Sequence, residues 1–190
     1  MIGLFGGSFD PIHHGHLIAA QAVCEALNLA ELRFVPAREQ PFKLGRHAAP
    51  PEVRARLVTL AIAGAPRFSL ERIELDRPGP SYTVETLRAL AAREPDQRFA
   101  LIVGADAAQD LPQWHEAEAL PTLATLVIYA RPGSAIPRLP WPARAVTVPG
   151  LDISSTEIRH RVAAGRSIRY WVPDPVAEAI AAAGLYLTDA

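Results

Sequence analysis

A chain of 190 residues, 49% hydrophobic and 21% charged, has the make-up of a globular protein able to bury a sizeable core, and is expected as one domain over 1–190. Its formal net charge of −1 supplies no broad basic face, so neither nucleic acid nor a membrane is expected as a partner, and any basic patch has to be local. One cysteine cannot form an internal disulfide, no stretch approaches a membrane span, and the N-terminus lacks the basic start and long apolar core of a signal peptide; a cytoplasmic location is expected.

The chain opens on an apolar segment, Met1 to Phe5, then Gly6-Gly7, then Ser8-Phe9-Asp10-Pro11-Ile12-His13-His14-Gly15-His16. This reads as a strand, a tight glycine turn and the start of a helix near Gly15, because Leu17, Ala20, Cys24 and Leu27 recur at helical spacing. Residues without a Cβ let backbone approach a ligand closely. The free N–H groups and positive dipole end of the helix would face the turn, so phosphate is expected there. His13 and His16 lie about one helical turn apart, and both rings can address the same oxygens. Two plainer readings compete: a histidine metal site, and the glycine turn common to many α/β proteins. The metal reading lacks a second ligand cluster, since Cys24 sits on the apolar helix face and the remaining histidines are scattered; no metal-ligating residue is expected. The run is neither a GxGxxG dinucleotide fingerprint nor a P-loop.

Gly6-Gly7-Ser8-Phe9-Asp10-Pro11 followed by His13-x-Gly15-His16 resembles the signature of the nucleotidylyltransferases, and in this version that of the bacterial nicotinate-nucleotide adenylyltransferases. Further along, Glu31 to Pro36 suits a second strand, giving a βαβ unit and a parallel sheet: the expected fold is α/β, a Rossmann-like doubly wound sheet. Ala37 to Pro51 has no periodicity and carries Arg38, Lys43, Arg46 and His47 against one acid, Glu39. By composition it is equally a solvated loop or a flap over a polyphosphate. The resemblance favours the flap, and implies a role for Lys43. Phe42 stands where the family often has histidine, so that histidine's role does not transfer.

Pro51-Glu52 opens a helix with Val53, Leu57, Leu60 and Ala61 expected inward, ended by Gly64 and Pro66. Phe68 to Asp76 alternates as an edge strand would. From Thr83 a helix is expected with Val84, Leu87, Leu90 and Ala91 inward and Ser81 or Thr83 as N-cap. Pro80-Ser81-Tyr82-Thr83-Val84-Glu85-Thr86-Leu87 resembles the family's Ser-Tyr-Thr-x-x-Thr element, which contacts the nicotinate-bearing substrate; a capped helix start also presents N–H groups to an anion.

Phe99 to Val103 reads as a central parallel strand, which places Gly104-Ala105-Asp106 where ligands lie in open α/β sheets. Asp106 either accepts from a ribose or caps the next helix. Trp114 would ordinarily be core; the family's tryptophan at this spacing lies against the pyridine ring, and the resemblance favours stacking. Ala124 to Ala130 is the next strand, Ser134 to Ala143 an irregular excursion, and Arg144 to Val148 a last strand.

Ser154-x-x-Glu157 is a capping box, so a helical segment starts at about 154. The box leaves Ser155, Thr156 and Arg159 unexplained; hydroxyls, free N–H groups and a guanidinium converging on one helix start suit a phosphate chain. Ile153 to Arg159 also resembles the family's Ile-Ser-Ser-Thr-x-Ile-Arg motif. A terminal helix follows, with Asp174 expected as N-cap and Pro175 at N1.

The resemblance runs from Gly3 to about Ala177. It implies AMP transfer from ATP to nicotinate mononucleotide, with Mg²⁺ carried on the ATP phosphates. It assigns ATP to Gly6, Gly7, Ser8, Phe9, His13, His16, Ile153, Ser154, Ser155, Thr156 and Arg159, and the mononucleotide to Ser81, Tyr82, Thr83, Gly104, Asp106, Trp114 and Arg131. His13, His16, Lys43 and Arg159 are expected to be catalytic. The absence of an evident activated nucleophile favours direct attack without a covalent intermediate. Rival readings are a pantetheine-phosphate adenylyltransferase or a cytidylyltransferase, against which Ser81, Tyr82, Thr83 and Trp114 speak, a catalytically silent nucleotide-binding module, and a histidine-rich metal binder. Homo-oligomerisation is left open.

Overall fold

The computed structural model describes residues 1–41 and 48–188. In chain order it runs β1 (Ile2–Gly7), α1 (His14–Ala26), β2 (Glu31–Pro36), α2 (Pro51–Ile62), β3 (Phe68–Leu70), α3 (Ile73–Asp76), α4 (Thr83–Arg93), β4 (Phe99–Gly104), α5 (Ala105–Ala108), α6 (Leu120–Leu123), β5 (Thr125–Ala130), β6 (Arg144–Thr147), α7 (Ser155–Ala163) and α8 (Asp174–Ala182). All strand pairings are parallel, in the order β3-β2-β1-β4-β5-β6. This is the doubly wound Rossmann-like order, whose direction of growth reverses between β1 and β4.

Parallel strands buried on both faces alternate their side chains between two cores. Leu4, Leu101 and Ile128 join one core with Val84, Leu87 and Leu90 of α4. Phe5, Ile102 and Val127 join the other with Val23 of α1, Leu57 of α2 and Val176 and Ile180 of α8. The sheet is thereby clamped, and only its carboxyl edge at the switch point is left for a ligand. None of the helices is long and apolar enough to cross a membrane, among the described residues.

Several elements differ from what periodicity predicts. The inward face of α2 carries Arg54, Ala55, Leu57, Val58 and Ile62, while Val53, Leu60 and Ala61 are half-buried. The segment expected as one strand from Phe68 to Asp76 pairs only over Phe68–Leu70 at the sheet edge. There the Glu71 carboxylate accepts the Ile73 N–H at 3.1 Å and the chain turns into the short helix α3. Neither Ser81 nor Thr83 caps α4: Tyr82 holds that position without a side-chain bond, because the Ser81 hydroxyl is engaged elsewhere. In α8 the cap position is Pro173, and Asp174 lies inside the first turn.

Candidate active site

A cleft of about 960 Å³ opens at the carboxyl ends of β1 and β4. Its lining includes every residue expected above to bind ATP or the mononucleotide or to be catalytic, except Lys43. Lys43, with Phe42, Arg46 and His47, lies outside the described residues.

At one end the glycine turn passes into α1. Phe9 sits at φ 49° with its ring folded back on Gly7, where a Cβ would come within 2.9 Å of the phenyl carbons; only glycine fits beneath that ring. A Cβ on Gly15 would likewise stand 3.0 Å from the His13 ring. His13 caps α1 in extended conformation, and its backbone N–H donates to His16 Nδ1 at 3.3 Å. Because Nδ1 accepts, the proton of neutral His16 is assigned to Nε2, which makes that edge a donor. The two imidazoles lie face to face, with centroids 3.7 Å apart and planes 25° apart. His13 is buried, and burial first, then the charges of Arg131 and His14, lower its pKa to about 4. It is therefore neutral near pH 7. Its Nδ1 is, among the described residues, the buried side-chain nitrogen left without a partner.

The first turn of α7 closes against the same turn from the far side of the sequence. Ser154 caps the helix by accepting from the Glu157 N–H at 3.1 Å. The Ser155 hydroxyl donates to the Pro11 carbonyl at 2.8 Å, so its proton is engaged. Arg159 donates to the Asp10 carbonyl at 2.8 Å and, at 3.4 Å, to Thr156 Oγ1, which keeps its own proton to donate. Two stretches that read separately as phosphate elements thus form one wall, with Ile153 at its edge.

Beneath them lies a buried charge that the sequence reading passed over. Arg54, fully buried, donates to the carbonyls of Ser8 at 2.6 Å, Ala49 at 3.1 Å and Arg38 at 3.1 Å. Asp10, 4% exposed, accepts the Ala48 and Ala49 N–H groups at 2.8 and 3.2 Å and the Tyr186 hydroxyl at 2.8 Å. Burial pulls the Arg54 pKa down and the Asp10 charge opposes it; a guanidinium so placed remains charged. Through these separate backbone bonds the two side chains hold the glycine turn at Ser8 and the chain at Arg38 and at Ala48 and Ala49.

The other end is walled by rings and helix starts. Trp114 is half-buried and packs on the core beneath α4, and the Tyr82 and His115 rings meet with centroids 4.4 Å apart. Thr83 is the first residue of α4, so its N–H is among those without a helical partner. Asp106 is exposed and sits inside α5; Gly104 holds the cap position, which removes the capping alternative for Asp106. Arg131, exposed, donates to the Leu151 carbonyl at 3.0 Å, and its charge reaches His13. Ser8 donates to Gln40 at 2.7 Å, and Ser81 accepts from the Arg38 N–H at 2.9 Å, tying the residues before position 42 to both ends.

Glu74 and Tyr129 also line the cleft and were not foreseen. The Glu74 carboxyl is held by Thr86, at 2.9 Å, and Ser81, and burial raises its pKa against the pull of those bonds and of Arg77. Tyr129, at the carboxyl end of β5, packs its ring on Phe5 with its hydroxyl against Gly104, and burial pushes its pKa up to about 12. A phenol on the alternation Val127, Tyr129 near a strand's carboxyl end was a usable signal. So was an arginine in register with Leu57 and Val58 of α2.

Comparison with known proteins identifies relatives of the chain. The model of the family described as cytidylyltransferase-like matches residues 4–161. A protein of Thermus thermophilus named "Probable nicotinate-nucleotide adenylyltransferase" is 51% identical over 97% of this chain and 98% of its own. One of Roseiflexus sp. with the same name is 49% identical over 97% of each. Among solved structures, the Plasmodium falciparum nicotinic acid mononucleotide adenylyltransferase complexed with NaAD superposes with a TM-score of 0.81 at 21% identity, covering 99% of this chain and 98% of that one. At that identity the likeness concerns the fold.

Proposed function

The chain belongs to the cytidylyltransferase-like family and, within it, to the nicotinate-nucleotide adenylyltransferases, and from this premise we propose that it joins AMP from ATP to nicotinate mononucleotide. The observation that carries the reading is the meeting of two phosphate-type elements in one wall, with the Ser155 hydroxyl 2.8 Å from the Pro11 carbonyl and Arg159 2.8 Å from that of Asp10.

In this reading a phosphate oxygen of the mononucleotide attacks the α-phosphorus of ATP. The new P–O bond forms as the bond to the β-phosphate's bridging oxygen breaks, and pyrophosphate leaves with the negative charge. The side chains offered are donors and cations, which suits positioning and charge stabilisation of a direct displacement. His16, through Nε2–H, and neutral His13 hydrogen-bond the reacting phosphate. The N–H groups of α7, Thr156 and Arg159 grip the β- and γ-phosphates, and Gly6 to Phe9 let them approach the backbone. Lys43 is assigned to close from its loop. A divalent ion such as Mg²⁺, held by the ATP phosphates, would supply charge screening, and the Asp10 carboxylate, already engaged by three donors, is not expected to hold it.

At the other end the first N–H groups of α4 and the Thr83 hydroxyl address the pyridine carboxylate, Trp114 stacks on the ring, and Asp106 accepts from the ribose, with Ser81, Tyr82, Gly104 and Arg131 completing the surround. A carboxylate satisfies such donors and an amide nitrogen opposes them. One hydrogen bond to a charged group is worth about 1.5–3 kcal/mol, roughly ten- to 150-fold. The test is a panel with ATP of nicotinate mononucleotide, nicotinamide mononucleotide and phosphopantetheine. Expected is a kcat/KM preference for the acid over the amide of about a hundredfold or more, reduced in Thr83→Val, with no protein adduct of AMP mass after ATP alone. Comparable values for the two mononucleotides would leave only a general adenylyltransferase, and an adduct would overturn direct transfer.

A further inference from the structure

We infer that Tyr186, four residues from the C-terminus, is a positioning residue for the triphosphate end of the cleft: its hydroxyl, through the Asp10 carboxylate, sets the main-chain carbonyl on which Arg159 is anchored. The inference rests on the reading that Arg159 and the start of α7 hold ATP phosphates.

Asp10 is a junction of three distant parts of the chain. Its Oδ1 accepts the Tyr186 hydroxyl at 2.8 Å across 176 residues, and the Ala49 N–H at 3.2 Å. Its Oδ2 accepts the Ala48 N–H at 2.8 Å. Its carbonyl accepts Arg159 Nη1 at 2.8 Å across 149 residues. Asp10 and Tyr186 are both buried, 4% and 7% exposed, so water does not replace a donor that is removed. With the carboxylate held on both oxygens, the Asp10 peptide has little freedom to turn, and the guanidinium bound to it inherits that fixed position.

Tyr186 itself is held in place at some cost. Its φ of 62° lies in the left-handed region, which a residue bearing a Cβ occupies only when its surroundings hold it there. The hold comes from the Asp10 bond and from the packing of α8, whose Val176 and Ile180 share a core with Leu57 and Val58 of α2. Burial and the neighbouring carboxylate raise the hydroxyl's pKa, so it remains a donor throughout any working pH. A tail that only covered the core would have no need of a polar atom here, and phenylalanine would serve. The hydroxyl is explained by the carboxylate that it locks.

The experiment is steady-state kinetics and calorimetric binding of a non-hydrolysable ATP analogue for the wild type, Tyr186→Phe and Leu185→Ala. Phenylalanine keeps the ring's packing and removes only the donor, whereas Leu185→Ala loosens the same tail without touching Asp10. Expected for Tyr186→Phe is a KM for ATP, and a Kd for the analogue, raised roughly threefold to thirtyfold, with the KM for nicotinate mononucleotide changed by less than about twofold. Leu185→Ala should lower Tm and leave the KM for ATP in place. Equal rises in both KM values, or the same ATP effect in Leu185→Ala at equal loss of Tm, would reduce Tyr186 to a packing residue and overturn the inference. If the wild type binds the analogue and Tyr186→Phe binds it identically, the inference alone fails; if the wild type binds none, the phosphate reading beneath it fails as well.

Discussion

At the end of the cleft proposed above to hold phosphate, residues 144, 149 and 176 positions apart are hydrogen-bonded to one another, and a guanidinium and a carboxylate are buried beneath them. At the α4 end the wall is made of the half-buried Tyr82 and Trp114 rings, the exposed His115 ring, the exposed Asp106 carboxylate and the helix start at Thr83. Fixed donors that need no rearrangement are what developing charge requires. A slot between aromatic surfaces with a few donors is what positions a flat ring and distinguishes its substituent. Changes at the first end should therefore move stability, kcat and the KM for ATP, and changes at the second should move the KM for the mononucleotide and specificity.

The largest effect should come from the buried arginine. Arg54→Met removes a buried guanidinium and leaves three carbonyls without their donor, at about 1–3 kcal/mol for each buried group left unsatisfied. Denaturant unfolding at pH 7 would measure it, and a loss near the level of an exposed substitution would mean that the phosphate end is not held from below.

Next is His16→Ala, expected to lower kcat by roughly a hundredfold to a thousandfold, the scale for losing one preorganised donor, with far less change in KM. The same variant should keep the acid-over-amide ratio of the wild type. A ratio that collapsed with kcat would show the two ends acting as one unit and break the comparison.

The smallest effect is on pH dependence. With the folded His13 pKa lowered to about 4 from the ordinary 6.5 of histidine, the unfolded chain binds more protons than the native one between those values. Stability contributed by neutral His13 is then complete above pH 6.5 and is lost as pH falls towards 4. Linkage puts the loss at about 1 kcal/mol by pH 5.5, and His13→Gln should remove that part of the slope. An unchanged slope would place His13 in water and weaken the case for a dry, prearranged phosphate end.

The sequence by itself determined what acts over a few residues. The glycine turn, the cap at Ser154 and the apolar runs of β1, β2, β4 and β5 are local, because steric freedom, helix-end donors and side-chain alternation are set by near neighbours. The turn at Gly6-Gly7 and the helix start at Ser154 were legible for that reason, and so was the doubly wound sheet. Only the tertiary structure decided what depends on partners far along the chain. It put Arg54 inside because the Ser8, Arg38 and Ala49 carbonyls converge there, and it engaged the Ser155 proton on Pro11. It ended β3 at Leu70, where Glu71 takes the Ile73 N–H, and it brought Tyr186 to Asp10. Alternation cannot report where a strand loses its partner, and helical spacing cannot report that an inward position is charged, because a buried ion is tolerated only where donors and acceptors from elsewhere replace its water.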